Sequence, residues 1–154
     1  NHLMPLKLNV KPGEKFVVNG AVMVAGKKGA SLVLQNEATI LLGKDIMQEE
    51  DANSPAKRIY FAILLMYLDV DNVDDYRDGF MKLVEDFLGA TTFQEVRKTL
   101  LHIVQDVNSD KYYRALKTCK ALIGYEKEVL AYGQNKGHDA LDNNNPITSA
   151  EVGS

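Results

Sequence analysis

Ser54–Leu68 reads SPAKRIYFAILLMYL. Serine followed by proline marks a helix start, because the serine oxygen accepts an early backbone N–H and proline's missing donor is harmless in the first turn. Beyond it, Ile59, Tyr60, Ile63, Leu64, Met66 and Tyr67 cover most of a helical circumference. A helix apolar on nearly all sides is expected at the centre of a fold, touching both a sheet and other helices. The chain on either side of it follows two different periodicities.

Upstream the period is two. Leu6, Leu8 and Val10 alternate with Lys7, Asn9 and Lys11, a half-buried strand with a polar, partly basic face. Pro12-Gly13 punctuates a turn, and Phe16–Val18 and Ala21–Val24 flank Asn19-Gly20, the pair suited to the positive φ values of a type I′ hairpin. Gly26-Lys27-Lys28-Gly29 reads as a second turn, and Ser31–Leu34 and Thr39–Leu42 as two more strands around Gln35-Asn36-Glu37. So many short strands in so little chain predict a meander or small barrel-like sheet, with too little core to stand alone.

Downstream the period is helical. A second helix is expected from near Asn72 to Gly89, with Val73, Tyr76, Phe80, Leu83, Val84 and Phe87 on one face. A third starts at Thr92 and aligns Phe93, Val96, Leu100, Ile103, Val104 and Val107. Ser109 or Asp110 is expected to cap a fourth, running to about Tyr132 with Tyr112, Leu116, Cys119, Leu122, Ile123, Val129 and Leu130 inward. The fold class is therefore α+β: a small antiparallel, barrel-like β region at 4–48 packed on a C-terminal bundle of about four helices at 54–132. From Gly133 the periodicity stops in a polar, Gly- and Asn-rich stretch, so 133–154 reads as a disordered tail. Met4 reads as the natural start and residues 1–3 as a cloning remnant.

The 154 residues amount to about one domain, and a hydrophobic content of 45% is ample for a core. The net charge of −3 excludes a surface coated with nucleic-acid contacts. The charge is uneven, however. Residues 4–48 hold six lysines against Glu14, Glu37 and Asp45, whereas 54–132 is close to neutral. Cys119, the only cysteine, has no intramolecular partner and suits a reducing cytoplasm. Ile59–Leu68, the longest apolar-rich run, is only half of the roughly 20 residues of a bilayer span. The chain reads as soluble and cytoplasmic, with no membrane partner.

No catalytic constellation is visible. His102 falls opposite the apolar stripe of its helix, His138 lies in the expected tail, and Cys119 sits at a core position. There is neither a Walker loop nor a dinucleotide-binding glycine fingerprint. Asp69–Asp75 imitates a calcium loop but lacks its glycine and its terminal glutamate, and reads better as acid at a helix start. Neither an enzyme, a metal nor a cofactor is expected. The lysines of the β region admit two readings: guards of exposed sheet edges, or a phosphate-contacting face. The second names Lys7, Lys11, Lys15, Lys27 and Lys28, with Lys44 and Arg58 as outer members. Phe16 is the only aromatic residue of the β region, so base stacking is not expected there. Asn19, Ser31, Gln35 and Asn36 are the loop polar groups available beside phosphate contact. A competing surface is the helical half, where Arg97, Lys98, Arg114, Lys117 and Lys120 could hold a protein partner.

Three collinear stretches, MPLKLNVKPGEKFVVNGAVMV at 4–24, ATILLGKDIMQEEDANSPAKRIYFAILLMYLD at 38–69 and YYRALKTCKALI at 112–123, resemble the FlbT family of alphaproteobacterial flagellar regulators. The resemblance extends over about Met4–Tyr132. It implies a non-enzymatic post-transcriptional regulator that binds the 5′ leader of flagellin mRNA and alters its translation and stability, as a repressor in some members and an activator in others. It also implies a small companion protein, FlaF. The alternative it leaves open is an adaptor that binds a FlaF-like protein or flagellin through its helices and affects RNA only indirectly. DNA is not an expected partner. Leu42-Gly43 before Lys44, and Glu37, depart from the family's more basic pattern.

Overall fold

The computed structural model describes residues 5–143. Five strands, β1 (Leu6–Val10), β2 (Lys15–Val18), β3 (Ala21–Val24), β4 (Ala30–Leu34) and β5 (Ile40–Leu41), precede four helices, α1 (Pro55–Leu68), α2 (Val73–Ala90), α3 (Gln94–Asn108) and α4 (Tyr112–Asn143). Short 3₁₀ turns at Gly43–Asp45, Glu49–Asp51 and Val70–Asn72 join them. This is the expected α+β fold.

The strands do not meander. β1 skips the β2–β3 hairpin and pairs antiparallel with β4, Leu8 opposite Leu32, while β2 lies between β3 and β5 in a separate three-stranded sheet. The hairpin itself forms as its sequence requires, with Asn19 at φ 50° and Gly20 at φ 84°. β2 separates two cores by the alternation of its side chains. Phe16 and Val18 face a small cluster with Val10, Ala25, Ala30, Leu32 and Leu42. Val17 faces the main core with Leu41, Ile46 and the helices. The small cluster has only three fully buried members, which is why the β region depends on the helical layer.

α1 occupies the centre, with Ile59, Ile63 and Met66 fully buried. Ser54 caps it as expected, its Oγ accepting from the Lys57 N–H at 3.3 Å. A second cap comes from α4: the Glu126 carboxylate accepts from the Ser54 hydroxyl and, at 2.9 Å, from the Ala56 N–H. Asp110 is not the N-cap of α4. It takes φ 59° after the end of α3, its N–H donates to Val107 O (3.0 Å), and the Lys111 N–H reaches back to Asp106 O (2.8 Å). That pattern is a Schellman stop with aspartate in the left-handed position, which aspartate tolerates better than most residues. α4 then runs past Tyr132 to Asn143, so 133–143 is helical where a disordered tail was expected. No proline interrupts before Pro146, and each added residue propagates an existing helix. The remainder of that expected tail, 144–154, and residues 1–3, expected to be a cloning remnant, lie outside the described residues. None of the described helices is long and apolar enough to cross a membrane.

Candidate nucleic-acid interface

Two turns build the basic end of the β region. In Lys11-Pro12-Gly13-Glu14 the Glu14 N–H donates to Lys11 O (3.0 Å), with proline and a positive-φ glycine in the middle as in a type II turn. In Gly26-Lys27-Lys28-Gly29 the Gly29 N–H donates to Gly26 O (3.0 Å), which leaves both lysines at the tip. The two turns lie side by side, because a Cβ on Gly29 would stand 2.6 Å from Val10 O and 3.4 Å from Pro12. Lys15 opens β2 at the same end, opposite Val24. The 3₁₀ turn carrying Lys44 abuts it through Gly43, where a Cβ would lie 3.1 Å from the Glu14 side chain. Lys7 stands further along β1, on the outward face that also carries Asn9, Ser31 and Val33.

The fold thus groups Lys11, Lys15, Lys27, Lys28 and Lys44 at one end of the sheets, and Lys7 extends the group along the outer face. All six are exposed, and none forms an ion pair among the described residues. Asp45, next to Lys44, is already engaged by Lys120 of α4 at 2.5 Å. Glu14 is the carboxylate inside the group. Arg58 is elsewhere, on the wall of a groove between α1 and α2 with Glu49, Asp75 and Tyr76. Phe16 is 5% exposed and unavailable for stacking.

The loop polar groups divide. Ser31 lies on the outer face opposite Asn9. Asn19 belongs to the scaffold at the opposite end: its Oδ1 accepts from the Thr39 N–H (2.9 Å), and its own N–H donates to Thr39 O (2.8 Å). Gln35 and Asn36 line a shallow cleft beside it, with Leu34, Tyr113 and Lys117.

Several cations of the helical half are committed to structure, and nothing in their sequence spacing announces this. Arg97 donates to Leu88 O (2.6 Å) and Thr91 O (3.1 Å), closing the end of α2. Arg114 grips Asp106 at 2.7 Å, and the carboxylate raises its pKa through hydrogen bonding and charge. Lys117 sits over the Tyr113 ring at 5.3 Å. Arg77 bonds Tyr112 Oη (3.2 Å) and Asn108 (3.3 Å). Lys98 keeps a loose, exposed pair with Glu95 at 3.7 Å.

The remaining candidate chemistry is structural too. Asp69 accepts from Tyr76 Oη (2.6 Å) and Asn72 Nδ2 (3.0 Å), and these donors, the tyrosine first, lower its pKa. Asp74 and Asp75 lie in the first turn of α2, where the helix dipole favours them. His102 is exposed on α3. Burial, and secondarily the charge of Glu126, pushes the Cys119 thiol far above its ordinary pKa. Among the described residues no group of three or more His, Cys, Asp or Glu could hold a metal ion.

No solved structure matches the chain. Its sequence does match known proteins. It is 43% identical over 129 residues to the "probable flagellum biosynthesis repressor protein FlbT" of Caulobacter sp. (strain K31), covering 84% of this chain and 98% of that one. It is 41% identical over 140 residues to the "flagellum biosynthesis repressor protein FlbT" of Caulobacter vibrioides, covering 89% and 99%. A relative of the same description in Chelativorans sp. is 31% identical over 130 residues, covering 84% and 89%. The profile of the family described as "flagellar protein FlbT" matches residues 6–130, which spans both sheets and all but the last part of α4, and the chain belongs to that family.

Proposed function

We propose that this protein is a non-enzymatic post-transcriptional repressor of flagellin synthesis that holds the 5′ leader of flagellin mRNA against the lysine-bearing end of its β region. One observation carries the reading: the cations of the β region are grouped and unpaired among the described residues, while Arg97, Arg114, Lys117 and Lys120 of the helices are tied to carbonyls, carboxylates or an aromatic ring. Phosphates are the ligand that exposed lysines on glycine-bounded turns suit best. With no exposed aromatic platform on the sheets, discrimination rests on leader shape and backbone contact more than on stacked bases. The relatives' description as flagellum biosynthesis repressors supplies the direction of the effect.

The test is a salt titration of leader-RNA binding by fluorescence anisotropy. Contact through as many as six lysines gives a log–log slope no steeper than about −4, at roughly −0.7 per phosphate. Lys27→Glu combined with Lys28→Glu is expected to weaken binding and flatten the slope by about 1.4, whereas Lys98→Glu on α3 leaves it unchanged. Unaltered affinity and slope in the double variant would overturn the reading. The adaptor alternative, with a FlaF-like protein or flagellin on the helical surface, has less behind it because Arg97, Arg114 and Lys120 are already occupied. It predicts a protein complex that forms without RNA and is indifferent to the two lysines.

A further inference from the structure

β3 is an edge strand that no described residue pairs with on its outer side. It lies outermost in the order β3-β2-β5, and all four of its residues are exposed, Val22 at 51%, Met23 at 38% and Val24 at 60%. Proteins usually blunt such edges with charge, proline or a bulge. Ala21–Val24 has none of these, and the glycine bulge at Gly13 lies across the ladder, next to β2.

The ladder shows which backbone groups the edge leaves open. The Ala25 N–H donates to Glu14 O (2.9 Å), and Ala25 O accepts from the Gly13 N–H (3.0 Å), so Ala25 turns its amide groups toward β2. By antiparallel alternation Met23 and Ala21 do the same, and Val22 and Val24 turn theirs outward. No other described residue bonds to those outward groups.

We propose that β3 is a self-association strand through which two copies of this protein pair antiparallel about a twofold axis at Met23. In that register Val22 of each copy faces Val24 of the other, and the outward N–H and C=O groups of both valines find partners across the axis. An axis at Val22 would instead set Val24 opposite Gly20 and cover less apolar surface. The charges agree with the antiparallel direction. β3 leads at one end into the Lys27-Lys28 turn. At the other it begins beside Gly20, on a cleft that also holds Val70 of the α1–α2 connection and, from the α3–α4 connection and the start of α4, Asp110, Lys111 and Arg114. Antiparallel pairing keeps the Lys27-Lys28 turns of the two copies at opposite ends of the paired strands, whereas parallel pairing would set lysine against lysine. Four residues a side fall far short of the roughly 20–30 of a standard interface, so the association is weak and concentration-dependent.

The inference is independent of RNA binding, and its test uses the full chain without RNA. Met23 meets itself at a non-hydrogen-bonded position, where Cα atoms come within about 4.5 Å, near enough for a disulfide. Met23→Cys is expected to form a disulfide-linked dimer under mild oxidation at least tenfold faster than Ser31→Cys, an exposed control on β4, with buried Cys119 silent in both. Sedimentation velocity of the unmodified protein should show reversible dimerisation on concentration. Met23→Lys, which sets two ammonium groups opposite each other, should raise the dissociation constant at least tenfold while circular dichroism stays unchanged. Equal cross-linking at positions 23 and 31, or a protein that stays monomeric throughout, would overturn it.

Discussion

Replacing Gly29 with alanine tests whether the lysine turn is pressed against the first strand. Gly29 and Gly13 share a φ of 73°, so either alanine substitution forces an L residue into the left-handed region at about 1–2 kcal/mol. Their surroundings differ. A Cβ at Gly13 meets nothing within 4 Å, whereas one at Gly29 stands 2.6 Å from Val10 O, a backbone atom held in the β1–β4 ladder where Val10 pairs with Ala30. Relieving that clash requires the turn or the strand to move, at a further cost of about 1–3 kcal/mol, as for other overpacked sites. Gly13→Ala should therefore lose about 1–2 kcal/mol and Gly29→Ala about 2–5 kcal/mol. Equilibrium urea unfolding followed by circular dichroism measures both, and an unchanged m-value assigns the difference to the folded state. Losses equal within about 0.5 kcal/mol would mean that the turn is not packed on Val10, and the grouping of Lys27 and Lys28 with Lys11 would lose its basis.

Two further predictions concern the helical layer. Glu126→Ala removes the acceptor that α4 offers to Ser54 and Ala56, and should lower stability in urea by about 1.5–3 kcal/mol, while exposed Glu128→Ala stays within about 0.5 kcal/mol. For Cys119, a folded-state pKa raised above the ordinary 9.0 means that, above about pH 9, the unfolded chain gives up a proton that the native chain keeps. The unfolded state then binds fewer protons, so stability is intact below pH 9 and falls as pH rises, by at most about 1.4 kcal/mol per unit. Cys119→Ala should flatten this decline between about pH 9 and 10, and the native thiol should resist a disulfide reagent that labels the unfolded chain fully. A slope that Cys119→Ala does not change would show that the thiol is not buried.

Much of the architecture was legible because it is written in neighbouring residues. Asn19-Gly20 announces its hairpin through the φ values that only such residues take readily. Ser54-Pro55 announces a helix start, and the all-round apolar run behind it announces the central helix. The candidate lysines could be named, and their concentration in the β region counted, from the chain alone. Their grouping at one end could not, because it depends on Gly29 packing on Val10 and Gly43 on Glu14. Asp110 was misread as the cap of α4 because aspartate favours helix starts and also tolerates the left-handed stop of the helix before.

Local sequence, then, determined the elements, their order and the division into a basic β region and a near-neutral helical one, since φ/ψ preference and side-chain period act over a few residues. Tertiary structure alone decided that β1 passes over a hairpin to reach β4, that Arg97, Arg114 and Lys120 spend their charge on carbonyls and carboxylates, and that apolar β3 is left at an edge. Each depends on partners brought together by the fold, some more than 70 residues apart, as Lys120 and Asp45 are. A lysine that is held and a lysine that is free look alike until those partners are in place.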